Sequence, residues 1–267
     1  MRRENFAPTL PSERIPSARE VVVLLLLLLV TALAAYVQSQ PSSISQQPPP
    51  VDLVAVYNEA ISDSAVYKTS NVRPLKPLAF DPTTKKAKVV TVMKVSKSAY
   101  EYKPGPDTLG NVYVWVTQVP EVQEICQKFS RDLELSLVQL LGFIPNSKLT
   151  NFVVMTVSEG DIIRPAANND PLTQRPCASS EVNCGQNFPE HVPDWYVKWF
   201  ADQALRAWII TDPSQPPVGY PWTRLGYTYN WKPGADKYGA SEYIIKPRST
   251  VTVLDVVPYQ KYCSPNR

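Results

Sequence analysis

The chain has 267 residues, of which 44% are hydrophobic, and a formal net charge of +3. That length and apolar share suit one globular domain with a sizeable core once an N-terminal export region is set aside. So small a net charge, with no basic run, speaks against nucleic acid as a partner. Its 27 prolines and nine glycines are about twice and about half the usual shares, so long uninterrupted helices and strands are not expected.

Residues 1–20 form a tail punctuated by Pro8, Pro11 and Pro16, which reads as disordered and cytoplasmic. Residues 21–37, VVVLLLLLLVTALAAYV, carry no charge. As a helix this run spans roughly 25 Å, slightly short of a hydrocarbon core of about 30 Å. Arg2, Arg3, Arg14 and Arg19 lie before it, and the next basic residue is Lys68. The asymmetry puts the N-terminus in the cytoplasm and the remainder outside. Two outcomes stay open: an uncleaved single-pass anchor in the inner membrane, or a signal h-region cleaved near Ala34, after the small-x-small pattern Ala32-Leu33-Ala34. Residues 38–50, QSQPSSISQQPPP, read as a spacer that stiffens at its prolines. Residues 51–267 then form a single extracytoplasmic domain.

Within that domain, Val51 to Ile61 alternates weakly and is expected to start with a short helix. Lys86–Ser96 is β-branched and reads as a strand. Asn111–Val119 is the clearest strand, with Val112, Val114 and Val116 on one face and Tyr113, Trp115 and Thr117 on the other. Two substantial faces predict a central strand covered on both sides. Helices are expected over Glu121–Phe129, with Pro120 near the first turn, and over Leu133–Leu141, capped by Asp132 and stopped by Gly142. Asn151–Ser158 is a further strand. Glu159–Pro193 reads as a long loop that a disulfide, a partner or close packing must order. Asp194 is expected to cap a helix carrying Trp195, Trp199, Phe200, Gln203 and Ala207 at helical spacing, which packs on the sheet. Strands SEYIIKP (Ser241–Pro247) and STVTVLDVV (Ser249–Val257) close the chain. This mixed order of elements predicts an α+β fold with a mixed or antiparallel sheet, two or three helices and a long disulfide-closed loop.

The four cysteines all follow the apolar segment, and export makes disulfides the default. Cys177 and Cys184 flank a polar loop and close it easily, which pairs Cys126 with Cys263. No metal site is expected: the spacing is not CxxC, and His191 is the one histidine. That single histidine also argues against a nucleophilic triad. GxGxxG and Walker A patterns are absent, and no cofactor is expected. Glu159, Asp161 and Asp202 show no spacing that marks a pair of catalytic carboxylates.

The remaining feature is GYPWTRLGYTYNW, residues 219–231. Tyr220, Trp222 and Arg224 share one strand face by parity, and Tyr227, Tyr229 and Trp231 share another. A glycine bulge at Gly226 would bring both sets to one side, as an aromatic ladder that binds sugar rings or peptide. The alternatives are a core wall and a catalytic cleft.

Residues 239–256, from GASEY into the strand STVTVLDV, resemble the C-terminal strands of ADP-ribosyltransferase-type domains. That resemblance implies Glu242 as the catalytic carboxylate, with Arg224 as an NAD contact. A looser resemblance, from PEVQEICQKF to the terminal YC, is to bacterial exported proteins of no assigned activity. The expectation is therefore a bacterial envelope protein whose aromatic face binds an envelope protein or a glycan, with an exported ADP-ribosyltransferase-like enzyme as the alternative. Its membrane contact would be residues 21–37, and its domain would lie in the periplasm or outside.

Overall fold

The computed structural model describes residues 51–95, 101–177, 184, 187–210 and 217–264, together with the helical positions 18, 19, 22 and 23. The expected linker and nearly all of the expected tail and anchor lie outside the described residues. Among the described residues no helix is long and apolar enough to cross a membrane. The chain divides into two units, Met1–Val51 and Asp52–Arg267, and the second carries the fold.

That unit is α+β, with eight strands and five helices among the described residues. The strands are β1 (Lys86–Lys94), β2 (Gly105–Thr108), β3 (Val114–Gln118), β4 (Leu149–Ser158), β5 (Ile162–Ile163), β6 (Tyr227–Tyr229), β7 (Tyr238–Ile245) and β8 (Thr250–Pro258). The helices are α1 (Leu53–Ala65), α2 (Glu121–Cys126), α3 (Leu133–Leu140), α4 (Asp194–Ala207) and α5 (Tyr259–Tyr262). The sheet runs β2-β8-β4-β1-β3-β7-β5, β6 pairs with β7, and all pairings are antiparallel.

Local chemistry explains most boundaries. Asp52 accepts hydrogen bonds from the Val54 and Ala55 amides and starts α1. Asp132 accepts from Leu135 N and starts α3, and Gly142, at φ +71°, supplies the left-handed turn that stops it. The helix α4 departs from expectation at its start: Pro193 occupies the cap position without a side-chain bond, and Asp194 is the first helical residue. Its buried stripe is also rotated. Tyr196, Phe200 and Ala207 are buried whereas Trp195 is exposed, because the Tyr196 hydroxyl reaches inward to the Arg164 and Ala166 carbonyls.

The sheet separates two layers by the strand period of two. One face carries Val89, Val116, Val153, Met155, Tyr243, Val251 and Val253, covered by Leu78, Phe80 and Leu109 from extended segments. The other face carries Val90, Phe152, Val154 and Val257 under α1, α2 and α3, and Trp115, Ile244 and Ile163 under α4. Strand β3 is central, between β1 and β7, and packed on both faces. Disulfides join Cys126 to Cys263, 137 residues apart, and Cys177 to Cys184. The first ties α5 to α2, and Gln123 Nε2 adds a hydrogen bond to Tyr262 O.

Candidate functional site

The helical face of the sheet is covered by two groups of helices, and a pocket of about 280 Å³ opens between them. Its floor follows from register. Val90 of β1 pairs with Thr117 of β3, and Thr117 pairs with Glu242 of β7, so the three side chains lie in one row. Trp115 and Val92 lie two residues further along their strands, and all five line the pocket. The roof comes from Tyr57 of α1, the Leu141–Ile144 turn after α3, and the Val218–Tyr220 return after α4.

Hydrogen bonds hold this roof. The Tyr57 hydroxyl donates to Gly142 O at 3.1 Å and lies 3.5 Å from Gly219 O, so one phenol bridges both roof segments. Gly219 is required there: a Cβ would fall 2.4 Å from Ala207 O and 2.5 Å from Ile209 O. This close return places Tyr220, whose hydroxyl oxygen accepts from Gln203 Nε2. The Trp115 and Tyr220 rings meet edge-on at 6.4 Å. Lys94 also lines the pocket and lies over the Phe143 ring, 4.7 Å from its centroid.

Glu242 is the chemically distinct residue. Protein surrounds it and its remaining exposure is to the cavity it lines. Its Oε2 is closed to solvent and has no hydrogen-bond partner among the described residues. Burial pushes its carboxyl up to about 8, against a smaller opposing pull from Arg164. Arg164 is itself buried and engaged: it donates to Gly226 O at 3.0 Å and to the Tyr243 hydroxyl at 2.7 Å, and lies over the Tyr243 ring. Tyr243 follows Glu242 on β7 and so faces the opposite layer. Burial raises Tyr220 to about 12, the Gln203 bond lowers it, and the Glu242 charge raises it. The site therefore offers an acidic group held largely protonated at pH 7, inside a mostly apolar and aromatic enclosure that Lys94 and three threonines also line.

The six expected binding residues do not form one exposed ladder. Trp222, Tyr227, Tyr229 and Trp231 are all buried, and they enter three separate cores. Trp222 packs on Phe200 at 4.7 Å, within the α4 core. Tyr227 stacks near Tyr238 at 4.3 Å and donates to Asn71 O. Tyr229 donates to Asp63 Oδ2 at 2.8 Å, and Trp231 Nε1 donates to Phe143 O at 3.0 Å. Arg224 donates to Ala65 O and lies over the Trp208 ring at 4.2 Å. Tyr220 alone of the six lines the pocket.

The reason lies at Gly226. It has φ +79°, but β6 begins after it and is only three residues long. A Cβ there would fall 2.8 Å from Arg164 Cδ. Gly226 thus makes room for the buried arginine; it does not join two ladders. Glu242, in contrast, is both on a strand and in the pocket. Tyr57, Trp115 and Phe143 were not marked by any local motif. Only the alternation of residues 111–119, which groups Trp115 with Thr117, points at the pocket face.

Comparison with protein-family models, with curated proteins and with solved structures finds no match.

Proposed function

We propose that the domain is a non-enzymatic binding domain of the bacterial envelope, which takes a small, mostly apolar ligand into the pocket over Glu242. The observation that carries this reading is a buried carboxyl, its Oε2 without a hydrogen-bond partner among the described residues, that lines a mostly apolar cavity of about 280 Å³. Unpartnered buried polar atoms are rare in native proteins, because each loses its hydration without replacement. A convergent polar group in an aromatic-walled cleft is the usual form of a ligand site. The volume is near the lower limit of such sites, which favours a ligand below drug size. The two disulfides and the charge asymmetry about residues 21–37 support an extracytoplasmic setting, with that segment as anchor or signal. Tyr220 is the part of the expected aromatic face that this reading keeps.

The test uses three probes of one shape: 2-phenylethylammonium, 2-phenylethanol and 3-phenylpropanoate. Isothermal titration should find saturable binding of at least one, and Val92→Phe, which fills the pocket, should abolish it without lowering Tm. Undiminished binding by the filled variant would place the ligand elsewhere.

The second reading is an exported ADP-ribosyltransferase-like enzyme using Glu242. The presence of Glu242 on a strand at a cavity favours it. Arg224 does not, since its guanidinium is held by Ala65 O and Trp208. NAD hydrolysis compared between wild type and Glu242→Gln decides it; equal rates remove the enzyme.

A further inference from the structure

We propose that the ligand is a small organic ammonium ion with an apolar body, its cation paired with the Glu242 carboxylate and flanked by the rings of Trp115 and Tyr220. This rests on the binding reading above and assigns the class of ligand to it.

The argument is one of missing charge. Among the described residues no cation forms an ion pair with Glu242. Arg164 acts on it only through space, because its guanidinium is bound to Gly226 O, Lys76 O, Pro171 O and the Tyr243 hydroxyl. Lys94 lines the same pocket, beyond a register shift that follows Val92 on β1, and its Nζ lies over the Phe143 ring. Tyr57 and Thr228 direct their hydroxyl hydrogens to Gly142 O and Leu140 O. What remains is a buried carboxyl with no paired cation among the described residues, in a pocket walled by Trp115 and Tyr220, whose rings favour a cation. A ligand that brings its own positive charge completes the site.

The binding step is an exchange of charge. The neutral Glu242 carboxyl loses its proton to solvent as the ammonium ion arrives, and the carboxylate and ammonium remain as a pair. Below about pH 8, where the free carboxyl is protonated, affinity should therefore rise with pH. The titratable groups that face Glu242 do not produce this slope. Burial raises Tyr57, Tyr196 and Tyr220 and keeps them neutral. Burial lowers Arg164 and Lys94, and Lys94 is tested directly.

The experiment is isothermal titration of the intact domain with the three probes at pH 6, 7 and 8, repeated in buffers of different ionisation enthalpy to count protons. The ammonium probe should bind at least tenfold tighter than 2-phenylethanol at pH 8. Its affinity should rise about tenfold from pH 6 to 7 and about fivefold from pH 7 to 8, with release of a proton. Glu242→Gln and Glu242→Met, each checked for an unchanged fold by circular dichroism, should lose both the preference and the slope. Lys94→Met should keep the slope. Tighter binding of the alcohol or the propanoate, affinity that falls as pH rises, or a slope that survives Glu242→Gln would each overturn the ammonium assignment. Binding of none of the three probes would overturn the binding reading itself.

Discussion

Folding takes up a proton at Glu242. An unfolded glutamate titrates near 4.3, whereas the folded carboxyl is pushed up to about 8. The unfolded chain therefore holds fewer protons between those values, and stability falls as pH rises through them. Glu242→Gln removes this dependence. Chemical denaturation should show the variant more stable than wild type by roughly 3–5 kcal/mol above pH 8, with the gap closing below pH 5. A constant gap would mean that the carboxyl is already ionised in the folded state. Asp63 has the opposite sign. Burial opposes its ionisation, but hydrogen bonds from Lys237, Lys68 and Tyr229 prevail and hold it down at about 2. Its contribution is present at neutral pH and is lost as pH falls from about 4 toward 2. Because Asp63 sits near the surface, solvent screens it, so Asp63→Asn should flatten the acid limb of the stability curve only modestly.

Among the elements, the stretch 219–231 works as an internal wall with three attachments. Trp222 is 2% exposed and packs on Phe200 of α4. Trp222→Ala should cost about 3–5 kcal/mol by denaturant titration; a change under 1 kcal/mol would contradict its place in the core. Gly226→Ala meets Arg164 Cδ and a positive φ, and should cost about 1–3 kcal/mol. Parity separates the two period-2 sets in this stretch, but the bulge expected at Gly226 does not join them: the register shift falls between Tyr227 and Tyr229. What parity omits is the partner. The arginine that Gly226 accommodates comes from residue 164, which lies in the stretch read as a long loop. The short strands β2 and β5 were missed for a related reason: Gly105–Thr108 and Ile162–Ile163 carry no periodic pattern, and only pairing with β8 and β7 makes them strands.

For the whole molecule, the Cys126–Cys263 bond closes 137 residues. Replacing both cysteines by Ala should lower stability by about 4–5 kcal/mol in the chain-entropy model, measured by thermal unfolding. A loss under 1 kcal/mol would show that α5 is held by its packing on Phe152 and by Gln123 alone. The α+β class was legible because strand-like and helix-like periods follow one another without a regular βαβ order. Caps at Asp132 and Gly142 were legible because their chemistry is local. The pocket was not, because its lining comes from β1, β3, β4, β6, β7, α1 and two turns spread over residues 57–242. Glu242 was reached only through a resemblance, and its position in the row Val90-Thr117-Glu242 is a property of strand order.

The most direct test is the titration of the Glu242 side-chain carboxyl, followed by its carbon resonance with and without 2-phenylethylammonium. The free domain should show a midpoint near 8, and saturation with the ammonium ion should lower it by more than one pH unit. A midpoint in the ordinary range near 4, or one that the ammonium ion leaves unmoved, would contradict a buried, unpartnered carboxyl that receives a cationic ligand.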